Sequence, residues 1–427
     1  MLNKWLIGKL KDIKNRLNGS KDGKALTSNF GYMMLLQVAG YVFPLITLPY
    51  LARIIGVEGF GKIAFAAAII VWFQTITDWG FNYTATREVA QNRENKERVS
   101  EIFSNVLWAR MLLMLLSLCL LLIAIPLIPI LEENRLIILL TFLLIPGHIL
   151  FPEWFFQAVE KMRFITMFSL ASKLLFATLV FSFVKEKEDF ILQPIFMSVG
   201  YLLCGIASMY LIIVRWKVRI HPPRWRAVAL AINKSTDVFL VNIMPNLYYG
   251  FSTLLVGFFG GAISNGILDA GRKLVGVGEQ FMNTISRVFY PYLARNGKKH
   301  GLYAKINISI SLIMCLVLSI SAPILIEILF TSEFSAAVPV LQISSLSLIF
   351  LSLRNIYGIN YLILRGQERA SRDIIACTSL LGFLISFPLI YLYDYIGAAI
   401  VAVFIHALQG GLMMIAAKRF SKKISAQ

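Results

Sequence analysis

The chain has 427 residues, 58% of them hydrophobic and only 15% charged, with a mean hydropathy of +0.72. Soluble domains carry roughly 25% charge and about 45–50% apolar residues, so a soluble enzyme, a disordered chain and a fibre are excluded. The imbalance of 41 Lys and Arg against 23 Asp and Glu then reports loop topology rather than nucleic-acid binding.

Residues 1–26 are polar and basic. Leu2, Trp5, Leu6, Leu10, Ile13 and Leu17 share one helical face and lysines occupy the other, the pattern of an amphipathic helix lying on an anionic leaflet. No cleavable signal peptide is read here, so the first span is expected to serve as the insertion signal. A span needs about 20 apolar residues. The apolar runs predict an all-α polytopic membrane protein with about twelve spans. They lie near 28–51, 62–84, 103–131, 136–157, 165–184, 191–214, 236–258, 264–293, 306–330, 337–363, 373–393 and 396–417. Alternate connections hold 30 basic residues on one side and 5 on the other, which predicts cytoplasmic termini. Cys119, Cys204, Cys315 and Cys377 all fall in apolar runs and read as small hydrophobes.

Shifted by about 204 residues, the halves echo. Ile55-Gly56 falls on Phe259-Gly260, and Val89-Ala90-Gln91-Asn92 on Leu293-Ala294-Arg295-Asn296. Glu160-Lys161 falls near Glu368-Arg369. Six spans return the chain to its starting side, so the repeat is parallel, two six-helix halves over 27–214 and 236–417. Residues 215–235 are the cytoplasmic linker and 418–427 the tail. His221 sits in that linker and is not taken as a ligand. Substrate in such bundles lies between the halves.

Six basic residues lie within spans: Arg110, Lys173, Arg272, Lys273, Arg287 and Arg354. Each costs roughly 2.5–3.5 kcal/mol at a helix centre, so most are expected to face a polar interior; Arg110 and Arg287 are close enough to a span end to snorkel. On the eighth span Asp269, Arg272, Lys273, Gly276, Gln280, Asn283 and Arg287 fall within an arc of roughly 100°. Asp269 and Lys273 are spaced to neutralise each other, which leaves Arg272 unpaired on its helix. Gln74, Asp78 and Asn82 repeat every four residues on the second span, and Asn242, Pro245, Asn246 and Tyr249 mark the seventh. Fixed cations with amides suit an anionic, hydroxyl-rich ligand, and guanidinium suits phosphate. Trp72, Trp79, Tyr248 and Tyr249 could stack on sugars or sit at interfaces. Pro44, Pro49, Pro146, Pro152 and Pro245 are expected to bend their spans.

Several stretches resemble the Wzx-type polysaccharide flippases. They are Pro44 with Leu48-Pro49-Tyr50-Leu51, Ile55-Gly56-Val57-Glu58-Gly59-Phe60-Gly61, Asp78-Trp79-Gly80-Phe81-Asn82 and Ala85-Thr86-Arg87-Glu88-Val89-Ala90. Pro152-Glu153-Trp154-Phe155-Phe156-Gln157-Ala158-Val159-Glu160-Lys161-Met162 adds to them, with Ala158 where the family usually has Gly, as does Phe289-Tyr290-Pro291-Tyr292-Leu293. The resemblance is strongest over the first ~165 residues. It implies a MATE-like fold and a multi-pass protein of the bacterial inner membrane. The implied cargo is an undecaprenyl-diphosphate-linked oligosaccharide for O-antigen or capsule, and the implied partners are membrane lipids and, further, a polysaccharide polymerase and a chain-length regulator. Arg272, Lys273, Arg287, Arg354 and Lys173 would meet the diphosphate. Gln74, Asn82, Asn242, Asn246, Tyr249, Gln280 and Asn283 would line the path. No cofactor is implied and no GxxxxGK[ST] occurs. H+ or Na+ coupling would use Asp78, Asp269, Glu153 or Glu279. A MATE-type drug or metabolite exporter is the rival transporter; a membrane glycosyltransferase or polymerase is the rival enzyme, disfavoured by short outer loops.

Overall fold

The computed structural model describes residues 21–295 and 299–425. The amphipathic stretch ending at Leu17 lies outside them. The first half comprises α1 (Lys21–Asp78), α2 (Phe81–Gln91), α3 (Lys96–Leu127), α4 (Pro129–Glu133), α5 (Arg135–Phe142), α6 (Leu144–Leu150), α7 (Glu153–Ala158), α8 (Met162–Phe183) and α9 (Leu192–Tyr210). A π-helical turn, Leu211–Arg215, ends α9. There follow α10 (Trp225–Ile243), α11 (Tyr249–Arg295), α12 (His300–Leu329), α13 (Ala337–Ser345), α14 (Ser347–Leu353), a π-helical segment Arg354–Leu362 and α15 (Glu368–Ser425).

Among the described residues, ten helical stretches are long and apolar enough to cross a membrane. Two of them, Gly31–Gln91 and Glu368–Ser421, run 61 and 54 residues, more than twice the ~20 that one crossing needs. Both are broken midway, α1 at Gly56 (φ 65°) and α15 at Asp394 (φ 49°). α11 breaks in the same way at Gly261 (φ 75°). Pro44 and Pro49 remain inside α1, and the reversal of the chain falls at Gly56 instead. A proline removes one hydrogen bond and bends a helix, whereas a left-handed residue redirects the chain. The Gly56 and Gly261 breaks share nearly one backbone conformation, with ψ −178° and −167°.

The outward surface is apolar. On α12, Ile313, Leu316, Val317, Ile320 and Ile324 are all exposed, Ile320 by 76%. An exposed apolar face repeating with the helix suits lipid, not water, and the protein is a multi-pass membrane protein.

Buried apolar side chains form two large cores. One joins residues from Phe65 to Val228. The other joins Leu51, Ile55 and Phe60 of α1 and Val180 and Val184 at the end of α8 with Val256, Leu268, Phe330, Phe334 and Ala398. The second core therefore ties the first half to the second at the Gly56 end. There Arg53 donates to the Ile328 carbonyl at 2.8 Å and the Val57 N–H to Glu333 Oε2 at 3.3 Å, while Lys187 pairs with Glu333 at 3.6 Å. Backbones touch: a Cβ added at Gly61 would lie 1.7 Å from the Ala262 carbonyl oxygen, and one at Gly266 2.2 Å from that of Val57.

The segment between the π-turn and α10 is laid along α3. Ser100, Ser104 and Trp108 repeat every four residues, so they share a face. Ser100 Oγ accepts from the Arg219 N–H at 3.1 Å, Ser104 Oγ from the His221 N–H at 2.9 Å, and Trp108 Nε1 donates to the His221 carbonyl at 2.9 Å. Helix α10 begins at Trp225, earlier than the span start at 236 read from hydropathy. Its later turns pack on the first half: Trp79 stacks on Phe239 at 4.0 Å and Thr84 bonds Ser235 at 2.6 Å.

Candidate functional site

The intramembrane charges gather in two clusters, one in each half. In the first half, α1 ends at Asp78 because Trp79 and Gly80 both take left-handed conformations. That places the Asp78 carboxylate against Arg110 of α3, and the two form an ion pair with Arg110 only 4% exposed. The snorkelling expectation for Arg110 is thereby corrected: its guanidinium is held inward by a carboxylate on a neighbouring helix. Glu153, at the first position of α7, lies within electrostatic reach of Lys173, Asp78 and Arg110. His148, whose ring sits 4.2 Å from that of Tyr201, completes the group. Asn82 and Glu153 line a common cavity of about 440 Å³ with Arg87 and Gln157.

Breaking the Asp78–Arg110 pair should strand a buried charge, at a cost of about 3–5 kcal/mol. Asp78→Asn or Arg110→Met alone should lower the thermal midpoint of the detergent-purified protein. The double variant should recover most of the loss, because neither charge is then left alone. Singles that leave the midpoint unchanged would show that water already solvates the pair.

In the second half, α11 carries its polar residues past α14 and α15. Lys273 pairs with Asp269 and stands 4.3 Å from the centre of the Phe60 ring, so the within-helix pairing read from spacing is formed. Arg272 is 5% exposed. It donates to the Ala398 carbonyl at 2.8 Å and to Thr253 Oγ1 at 3.3 Å, and lies 4.6 Å over the Tyr249 ring. Its Nε has no partner, and no carboxylate lies within 4.0 Å among the described residues. Further along, Glu279 meets His406 at 4.0 Å and Arg354 reaches Gln409 at 3.5 Å. Asn283 accepts from Asn355 at 3.1 Å. Gln280 and Arg287 are exposed. The stripe is thus continuous along α11 but unequal: one cation neutralised, one buried on neutral oxygens, one open.

Of the remaining predicted residues, Asn246 donates to Thr75 at 2.9 Å and so links the segment before α11 to α1. Asn242 is exposed, while Gln74 and Lys173 are half-buried. His148, His406, Gln409, Asn355 and Asn360 were not singled out from the sequence. His406 and Gln409 are three apart in an apolar run and therefore share a face, a signal available in the sequence. Asn360 bonds Ser286 at 2.7 Å and Tyr303 at 2.9 Å, knitting the π-segment to α11 and α12.

Residues 26–297 match the family described as polysaccharide biosynthesis protein. Over 92% of its length the chain is 29% identical to a protein of Escherichia coli (strain K12) named for O-antigen transport, of which it covers 96%. A Shigella dysenteriae protein of the same name is 25% identical over 92% of the chain and 100% of its own length. These relatives are named as transporters, not enzymes. Among solved structures, the lipid II flippase MurJ in an inward closed conformation aligns with TM-score 0.69 at 14% identity, covering 90% of this chain and 87% of its own. An inward-facing multidrug-resistance MATE transporter of the MOP superfamily aligns with TM-score 0.61 at 14% identity, over 89% and 94%. At such identities the likeness establishes a MATE-like fold.

Proposed function

Because the chain belongs to the polysaccharide biosynthesis protein family, we propose that it is a flippase for lipid-linked oligosaccharide, moving undecaprenyl-diphosphate-linked repeat units across the bacterial inner membrane. The observation that carries this reading is Arg272. A guanidinium is held in the membrane on a carbonyl, a hydroxyl and an aromatic face, with no carboxylate within 4.0 Å among the described residues. Such a group keeps its charge for an anionic ligand, and phosphate matches the guanidinium fork. An exporter of cations would be repelled by it, which disfavours the drug-exporter alternative.

In this reading the chain crosses twelve times, as two six-helix halves with both termini in the cytoplasm. The matching breaks at Gly56 and Gly261 support the repeat. The Gly56 end would face outward and be sealed here, with loading from the end that exposes Arg287. Transport would proceed by rocking one half against the other. Coupling to H+ or Na+ would use Glu153, within reach of Lys173 and Arg110, or Glu279, near His406 and Arg354, rather than Asp78 or Asp269, which are already paired. A polymerase and a chain-length regulator would take over the delivered unit.

In a bacterium deprived of its own lipid-linked glycan exporter, the gene should restore surface polymer. Restored drug efflux without polymer would favour the exporter alternative. For topology, a reporter fused at Gly301 should be cytoplasmic and one at Asp189 external; the reverse result at both sites would invert the map.

A further inference from the structure

We propose that the turns at 91–96, 158–162 and 215–218 form a second anion site, away from the transport path, for the phosphate of an amphiphile in the adjoining leaflet. The three turns enclose a cavity of about 400 Å³ rimmed by Arg93, Lys96, Lys161, Arg215 and Lys217, with no acidic residue in its lining. All five cations are exposed. Arg93 is matched by Glu94 and Glu160 at 3.8 and 3.2 Å. The other four have no carboxylate within 4.0 Å among the described residues. The floor is apolar: Val99, Phe155 and Val218 are buried there, and the Trp216 ring packs 6.2 Å from that of Phe155.

Cationic loops follow from topology alone, and lysines also collect at helix C-termini. Three helical segments end at these turns, at Gln91, Ala158 and Arg215, and two begin there, α3 at Lys96 and α8 at Met162. Glu160 and Lys217 terminate α7 and the π-turn with φ of 57° and 58°, where the Lys161 N–H returns to the Phe156 carbonyl and the Val218 N–H to that of Ile212. Each C-terminus contributes about half a negative charge and each N-terminus about half a positive one, so together they offset only about half of one of the four free cations. Left-handed backbone at two non-glycine residues is strained. At Lys217 that strain holds a cation at the rim in a position where glycine would fit more easily. A net-positive rim over an aromatic floor suits a molecule with a phosphate at its head and hydrocarbon beneath it; free phosphate would leave the floor empty. Basic pockets at helix ends on the cytoplasmic side hold anionic headgroups in this way. Only the identity of the leaflet rests on the orientation proposed above.

The test uses the purified full-length protein in phosphatidylcholine nanodiscs with or without phosphatidylglycerol, with lipid retention followed by native mass spectrometry and thermal midpoint. Lys217→Gly removes a cation and suits the left-handed backbone, so the fold is retained. Combined with Lys161→Gln it should weaken phosphatidylglycerol retention by about fivefold per cation and abolish the midpoint gain from that lipid. A control variant, Lys299→Gln with Lys305→Gln, removes equal charge elsewhere and should retain the lipid normally. Equal losses in both variants would reduce the pocket to general loop charge and overturn the proposal. A midpoint gain from inorganic phosphate equal to that from phosphatidylglycerol would overturn the assignment to a membrane amphiphile.

Discussion

Arg272→Ala should lower glycan export about 10- to 100-fold, the loss of one charge-assisted contact of ~1.5–3 kcal/mol to a phosphate. The side chain also has a structural task, since its guanidinium satisfies the Ala398 carbonyl and Thr253. Alanine therefore removes two things at once, and a fall in protein level would confuse them. Arg272→Gln separates them, because an amide can still donate to Ala398 but carries no charge. Glutamine should restore the protein level and leave export low. Lysine should restore part of the export, because charge survives but the planar fork does not. Surface polymer and immunoblotted protein in an exporter-deficient strain measure both quantities. Normal export by Arg272→Gln would mean that the guanidinium is only a structural donor and that the diphosphate is held elsewhere. Lys273→Ala should be milder at any rate, because Asp269 already holds that ammonium.

Much of the fold was legible because hydrocarbon allows few solutions. Backbone groups within lipid must bond internally, so long apolar runs could only be helices, and their approximate ends followed from charge. What the runs could not give was where a helix turns back. Gly56 and Gly261 lie in the short connections between spans read from the sequence, 52–61 and 259–263, but Asp394 takes left-handed backbone without being glycine. It does so where its side chain accepts from Ser264, across the break in α11. That stabilisation comes from a residue 130 positions away, beyond the reach of local pattern.

The same division holds for the charged groups. Helical spacing put Asp269 beside Lys273 and showed that α11 has a polar face. Spacing says which residues share a face and nothing of what the face opposes. Asp78 and Arg110 sit on different helices, and their pairing turns a candidate coupling carboxylate into one half of an internal ion pair. Glu279 likewise finds His406 only because α15 returns past α11.

Gly61→Ala should abolish export while leaving the protein in the membrane. In the structure, α1 after its break lies on α11 after its own, and a single methyl at Gly61 would meet the Ala262 carbonyl oxygen at 1.7 Å and the Gly266 nitrogen at 2.7 Å. Both are backbone atoms that no rotamer change can move. A clash of that size is not absorbed by a close-packed interior. If the seam is one of two states, the methyl excludes the sealed state and the population shifts to the one open at the Gly56 end; a bias of ~5.5 kcal/mol suffices to move an equilibrium from 99:1 to 1:99. Transport stops because the cycle cannot close. A cysteine at Phe60, 3% exposed in the sealed arrangement, should then react with a membrane-impermeant maleimide in Gly61→Ala and be protected in the parent. If the seam is instead fixed packing, the helices have nowhere to go. The variant would then fail to accumulate, and Gly266→Ala, facing the Val57 carbonyl oxygen at 2.2 Å, would fail with it. Accumulated protein with a reactive cysteine distinguishes a gate from a static contact, and only the gate permits a head group to pass from one side to the other.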